Sequence, residues 1–156
     1  MASANVINGT DLCLFITSGA TKRCIALATS CKISTSMATK QISSKDSTGN
    51  WEEFIAGRMS WTVDSDNLFT QDNLGTSGQT YDTLIDLMIA RTSVTITIGQ
   101  VTTSLMGYPQ TLGTTSKALS GSAYITKLDL NAPNDDSSTF TVSFQGTGAL
   151  THATAS

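Results

Sequence analysis

Few residues in this chain have the types and spacing that chemistry requires. Hydrolysis through a Ser-His-Asp arrangement needs an imidazole held between an acid and a nucleophile. The one histidine, His152, lies in the run Leu-Thr-His-Ala-Thr-Ala-Ser, where nothing orders a partner for it. Zinc would need clustered Cys and His ligands. Cys13, Cys24 and Cys31 show no C-x-x-C spacing and sit among apolar neighbours, so they read as buried thiols, with their proximity in the fold left open. The acidic pairs Glu52-Glu53 and Asp135-Asp136 carry the donors for calcium or for acid and base work. One pair borders a loop and the other fills a turn between strands, where solvated charge is the simpler reading. No catalytic residue, metal ligand or cofactor site is expected.

The elements that would position such groups are mostly strands. Only 13% of the 156 residues are charged and 39% are apolar, which leaves a chain rich in Ser, Thr, Gly, Asn and Gln. One domain, residues 1–156, is expected at this length. A net charge of -3 argues against a dedicated nucleic-acid binder, so any contact with DNA should be non-adhesive. The start, Met-Ala-Ser-Ala-Asn-Val, has neither the basic beginning nor the apolar run of a signal peptide, and no later run would span a bilayer. Synthesis in the cytoplasm and no membrane contact are the expectations. Asn8-Gly9-Thr10 then reads as a turn rather than a glycosylation site.

One stretch has helical period. Tyr81, Leu84, Ile85, Met88 and Ile89 recur at steps of three and four, which predicts a helix over about 80–91 with Thr80 as cap and Arg91 near the last carbonyls. Directly after it the period becomes two, with Val94, Ile96 and Ile98 facing one way. Asp11 to Thr17 is apolar on both faces, hence a covered strand. Lys32 to Ala38 and Arg58 to Asp64 alternate, the latter with Met59, Trp61 and Val63 on one side. Ser122 to Asn131 and Thr139 to Gln145 form the clearest hairpin, with Tyr124, Leu128 and Leu130 on one face of the first strand and Phe140, Val142 and Phe144 inside the second. A long polar loop is expected at about 41–53, a flexible approach to the helix at 73–79, a polar stretch around Tyr108-Pro109, and a flexible tail at about 149–156.

A resemblance attaches to these blocks in order. Asn8-Gly9-Thr10-Asp11-Leu12, Ala28-Thr29-Ser30-Cys31-Lys32, Ser44-Lys45-Asp46, Trp51-Glu52, Gly57, Ser60-Trp61-Thr62, Tyr81-Asp82-Thr83-Leu84 to Arg91, and Gly121 to Asn134 with Gly146-Thr147-Gly148 resemble the major tail protein, or tail tube protein, of tailed bacteriophages. Residues 99–119 and the tail carry no part of it. The resemblance implies a mainly β fold: a β-sandwich or partial barrel of two packed sheets with one flanking helix. It also implies a structural, non-enzymatic subunit whose hexameric rings stack helically into a hollow conduit for DNA passing from capsid to host. Its partners would be copies of itself, a tape measure protein, tail terminator and baseplate proteins, and genomic DNA in transit without specific binding, all in the virion tail.

Two sets of residues become candidates on that reading. The polar strand faces, Lys32, Ser34, Ser36, Arg58, Ser60, Thr62, Asp64, Lys127, Asp129, Thr139, Thr141, Ser143 and Gln145, would line the lumen. The long loop, with Lys45, Asp46, Trp51, Glu52, Glu53 and Phe54, would reach the neighbouring ring. The alternative is a small β-barrel or β-sandwich module that binds a ligand or carbohydrate, for which Trp51 would be the exposed aromatic.

Overall fold

A computed structural model describes residues 7, 9–25, 27–45, 49, 51–70, 78–102, 112–113 and 117–154. After a 3-10 turn at Gly9–Asp11 come β1 (Leu12–Ser18), β2 (Thr21–Ile25), β3 (Ala28–Gln41), β4 (Phe54–Leu68), β5 (Gly78–Gln79), α1 (Tyr81–Ile89), β6 (Val94–Gln100), β7 (Lys117–Asn131) and β8 (Thr139–Thr154). The hydrogen-bonded order is β3-β4-β8-β7-β6-β1-β2-β5. All pairs are antiparallel apart from the short parallel pair of β2 with β5. The protein is thus mainly β with one helix. Its two packed layers are halves of one continuous sheet that folds over a shared core, the partial-barrel form of the expected architecture.

The fold-over is written into the two longest strands. The first half of the sheet takes Tyr124–Asn131 of β7 and Thr139–Gln145 of β8, and the second takes their other ends, Lys117–Ala123 and Gly146–Thr154. Register shifts at Ser120/Ser122 and Ile125/Lys127 mark the bend, and Gly148 supplies a left-handed φ of 77 that other residues resist. Leu14 and Ile16 of β1 therefore meet Trp61 and Val63 of β4, together with Phe140, Val142 and Phe144 of β8, in one buried cluster.

α1 closes the open side of this core. Leu84 is fully buried, Tyr81, Leu87 and Met88 pack on the cluster, and the Tyr81 ring meets Phe69 and Phe140 edge to face at 5.7 and 5.6 Å. Ile89, assigned to the apolar stripe by its spacing, is exposed, and Leu87 packs in its stead. Thr80 is the N-cap residue but makes no side-chain cap bond. Past the last turn the Arg91 N–H bonds the Met88 carbonyl and the Thr92 N–H bonds that of Leu87, at 3.1 and 3.3 Å. This is a Schellman ending, with Arg91 at φ 54 where glycine is usual.

β1 is covered on both sides, as its apolar run implies. Its second face, Phe15, packs with Cys24 and Val101, and Leu112 lies against them, so part of the 99–119 region forms a small outer core. Two further readings of the sequence need correction. Tyr124 does not share a face with Leu128 and Leu130, because the bulge between Ile125 and Lys127 reverses the alternation and puts Ile125 inside. The segment from Ala149 to Thr154 is no patternless tail: it pairs with β7, His152 opposite Leu119, through small residues that give no hydropathic period. The expectations for Asn8, for residues 73–77 and for Tyr108-Pro109 fall outside the described residues.

Candidate functional site

Four adjacent strands, β3, β4, β8 and β7, carry the apolar face just described on one side and a polar face on the other. Directly opposed residues share a face, so the pairings define rows across it. One row runs Lys32, Asp64, Ser143, Lys127; the next runs Ser34, Thr62, Gln145, Tyr124; a third runs Ser30, Asp66, Thr141, Asp129. Ser36 faces Ser60, Thr139 lies between Leu68 and Asn131, and Arg58 sits at the bulge beyond Ser60. The structure therefore brings the candidates on these strands onto one continuous surface.

Hydroxyl groups knit that surface together. Ser143 Oγ donates to Asp64 Oδ1 at 2.6 Å, Thr141 Oγ1 to Asp66 Oδ1 at 2.9 Å, and Ser30 Oγ to the other Asp66 oxygen at 3.0 Å. The Ser36 and Ser60 hydroxyls are 2.8 Å apart. Lys127 Nζ lies 2.8 Å from Asp129 Oδ2, the only ion pair among the described residues. Hydrogen bonding to Asp129 raises the Lys127 pKa, with smaller help from the charges of Asp129 and Asp64. Lys32, Arg58 and Lys127 stand with Asp64, Asp66 and Asp129 on these strands, so the charges are mixed in sign across the face. Small hydroxyls bound to carboxylates keep the surface wet and low, without a row of cations that could exchange with phosphate counterions.

Sequence reasoning missed further members of this face, Ser30, Asp66, Tyr124 and Asn131 among them. Ser30 and Asp66 are found by extending the alternation of Lys32 to Ser36 and of Arg58 to Asp64 by one step. Tyr124, 45% exposed beside Gln145, is hidden by the bulge, which leaves no mark in the hydropathy.

Beyond the core, β3 and β4 continue as a two-stranded arm. Residues from Thr35 to Gln41 and from Phe54 to Ser60 are exposed, yet they pair as far as Gln41 with Phe54. Met37 faces Met59, 73% exposed, on the side continuous with Trp61. At the arm's end Trp51 is 89% exposed, Phe54 is half exposed, and Lys45, Glu52 and Glu53 are all solvent-facing. Ser43 Oγ accepts from the Glu53 N–H at 2.8 Å, and Glu53 O accepts from the Ile42 N–H at 3.0 Å, which holds the loop's base closed. Asp46 lies outside the described residues.

The groups considered for catalysis do not converge. His152 is exposed on β8, and Asp136 accepts from the Ser137 N–H at 2.7 Å as an ordinary turn contact. Cys13 and Cys24 pack together in the small outer core, where the Cys24 S–H donates to the Ile25 carbonyl at 3.3 Å; contact with Cys24 lowers the Cys13 thiol to about 7, while that same contact and burial push Cys24 up. No group of three or more His, Cys, Asp or Glu able to hold a metal occurs among the described residues.

A family model described as "Phage tail tube protein" matches residues 6–152. The chain belongs to the phage tail tube protein family. It is a structural subunit of a tail tube. Solved tail tubes share its fold. The tail of an empty gene transfer agent particle, refined with C6 symmetry, superposes with TM-score 0.73 at 17% identity, covering 95% of this chain and 99% of that one. The SPP1 tail tube gives 0.70 at 12% identity over 97% and 81%. The tube-terminating cap of the anti-feeding prophage gives 0.65 at 15% over 99% and 95%. No curated protein matches. In this tail tube subunit the polar four-strand face and the projecting arm are the two surfaces its own core does not need.

Proposed function

We propose that this subunit forms hexameric rings that stack helically into a hollow conduit, with the polar face of β3, β4, β8 and β7 lining the channel through which DNA leaves the capsid. The supporting observation is that face itself: a continuous four-strand surface of small, internally bonded polar groups whose opposite side is the core. Six subunits contributing four strands each would give about 24 strands, which at ~4.8 Å spacing set a circumference of at least ~115 Å. A strand tilt near 40° widens that to roughly 150 Å, a backbone diameter of about 48 Å, which leaves room for a hydrated duplex.

The arm acts between rings. Trp51 and the flanking Phe54 are costly to leave in water, and Met37 and Met59 are half or more exposed beside them. Lys45, Asp46, Glu52 and Glu53 would form the charged rim around a Trp51 anchor. The role involves no catalysis and no cofactor. A tape measure protein inside the tube and terminator and baseplate proteins at its ends are the remaining partners. Subunits wait in the host cytoplasm before assembly. Gel filtration with negative-stain microscopy tests the reading: rings or tubes are expected, and a strict monomer at every concentration and salt would overturn it.

A further inference from the structure

The ring reading leaves open which surfaces join neighbouring subunits, and the strand edges identify them. Among the described residues β3 pairs only with β4, so its outer edge is free along its length. β7 pairs with β6 only from Leu119 to Ala123, so the same side of Tyr124–Asn131 is free as well. These are the two margins of the polar four-strand unit. Directions alternate from β3 through β4 and β8 to β7, so in a rotationally symmetric ring β7 of one subunit runs antiparallel to β3 of the next. Edges of this kind add strands readily.

Resting on the tube reading, we propose that β3 of one subunit pairs with β7 of its neighbour in the register that sets Lys32 opposite Asp129. Both faces decide that register. On the polar side Lys32 meets a carboxylate. A slip of two residues one way brings it against Lys127, a like charge, and a slip the other way against Asn131. On the core side the same register sets Ile33 opposite Leu128 and Cys31 opposite Leu130. Ile33 and Leu128 are half-buried in the lone subunit and Leu130 is 46% exposed, so a seam would finish their burial. A slip of one residue would set Lys32 against Leu128 or Leu130 and put polar residues of one strand against the core face of the other. The seam thus joins a bonded polar channel on one side to a closed apolar layer on the other.

A single substitution reads the register. Leu130→Cys puts a thiol opposite the native Cys31, and directly opposed residues lie about 4.5–5.5 Å apart at Cα, within the span a disulfide bridges. Assembled tubes oxidised with diamide at mildly alkaline pH, because burial pushes the Cys31 thiol up, should give a ladder of covalent multimers on a non-reducing gel. Cys31→Ser in the same chain should abolish it. Tubes that form normally but give no ladder, or a ladder that survives Cys31→Ser, would overturn the seam and leave the tube reading standing. A wild-type chain that never assembles would instead defeat the tube reading. Charge exchange is the second arm: Lys32→Glu and Asp129→Lys should each lose tubes and together regain them. Loss without recovery in a folded double variant would also refute the register.

Discussion

The indole of Trp61 stands directly over Gly146, so close that a Cβ there would fall among the ring atoms. Gly121 flanks the same ring, where a Cβ would come within 2.6 Å of it, and the indole N–H donates to the Gly148 carbonyl at 3.2 Å. The Gly-Thr-Gly run is therefore a seat for Trp61 at the bend of the sheet. Gly146→Ala should cost about 3 kcal/mol, the upper range for overpacking a filled core. Denaturant unfolding followed by tryptophan fluorescence measures it, and an unchanged midpoint would mean the seat is looser than the structure shows.

Arg91 holds a left-handed conformation at the end of α1. Its N–H is already used in the Schellman pair, so glycine can replace it without losing a backbone bond. Arg91→Gly should raise stability by about 1 kcal/mol. Thermal unfolding is the check, and a lower midpoint would show that the side chain holds more than the backbone geometry reveals.

Cys13 should be the first thiol to react. Contact with Cys24 favours its thiolate and lowers its pKa to about 7, whereas Cys24 and Cys31 are pushed up. Iodoacetamide at increasing pH, with peptides mapped by mass spectrometry, should show Cys13 labelled with a rate that rises through pH ~7. Faster labelling of Cys31 would contradict the assignment.

Much of this architecture was legible from residue order. The helix, the covered strand β1 and the hairpin of β7 with β8 follow from periods of 3.6 and 2, because each buries one defined face. The polar face was legible for the same reason, Ser34, Thr62 and Ser143 falling opposite apolar neighbours. Bulges were not legible: the one after Ile125 costs a single residue of register and moves Tyr124 across the sheet. Nor was the break at Leu27, a left-handed residue without glycine that separates β2 from β3. The pairing of Ala149 to Thr154 was hidden because its strand is made of small residues and backbone bonds, which leave no hydropathic trace.

On the proposed contact between rings, Trp51→Ala should cost about 2 kcal/mol as the loss of a buried aromatic anchor. Lys45→Ala, a rim charge, should cost ~0.5 kcal/mol or less. Tube length and salt resistance by electron microscopy separate the two. Equal tubes from Trp51→Ala and wild type would remove the arm from the inter-ring role.

The proposed lining predicts transit without binding. Replacing Ser60, Thr141 and Ser143 together with lysine puts cations beside Asp64 and Asp66 and beyond them into the channel. DNA ejection from assembled particles should slow at low salt and recover at high salt. Normal tubes that eject at the wild-type rate at every salt concentration would refute the lining.

The most direct measurement is a helical reconstruction of the assembled protein by electron cryomicroscopy. The account predicts a hollow six-fold tube in which Ser34, Thr62, Asp64 and Ser143 face the channel and Phe144 and Val63 lie behind them. A tube whose channel is lined by α1 or by the β1 and β6 side of the sheet, with the polar four-strand face turned outward, would contradict it.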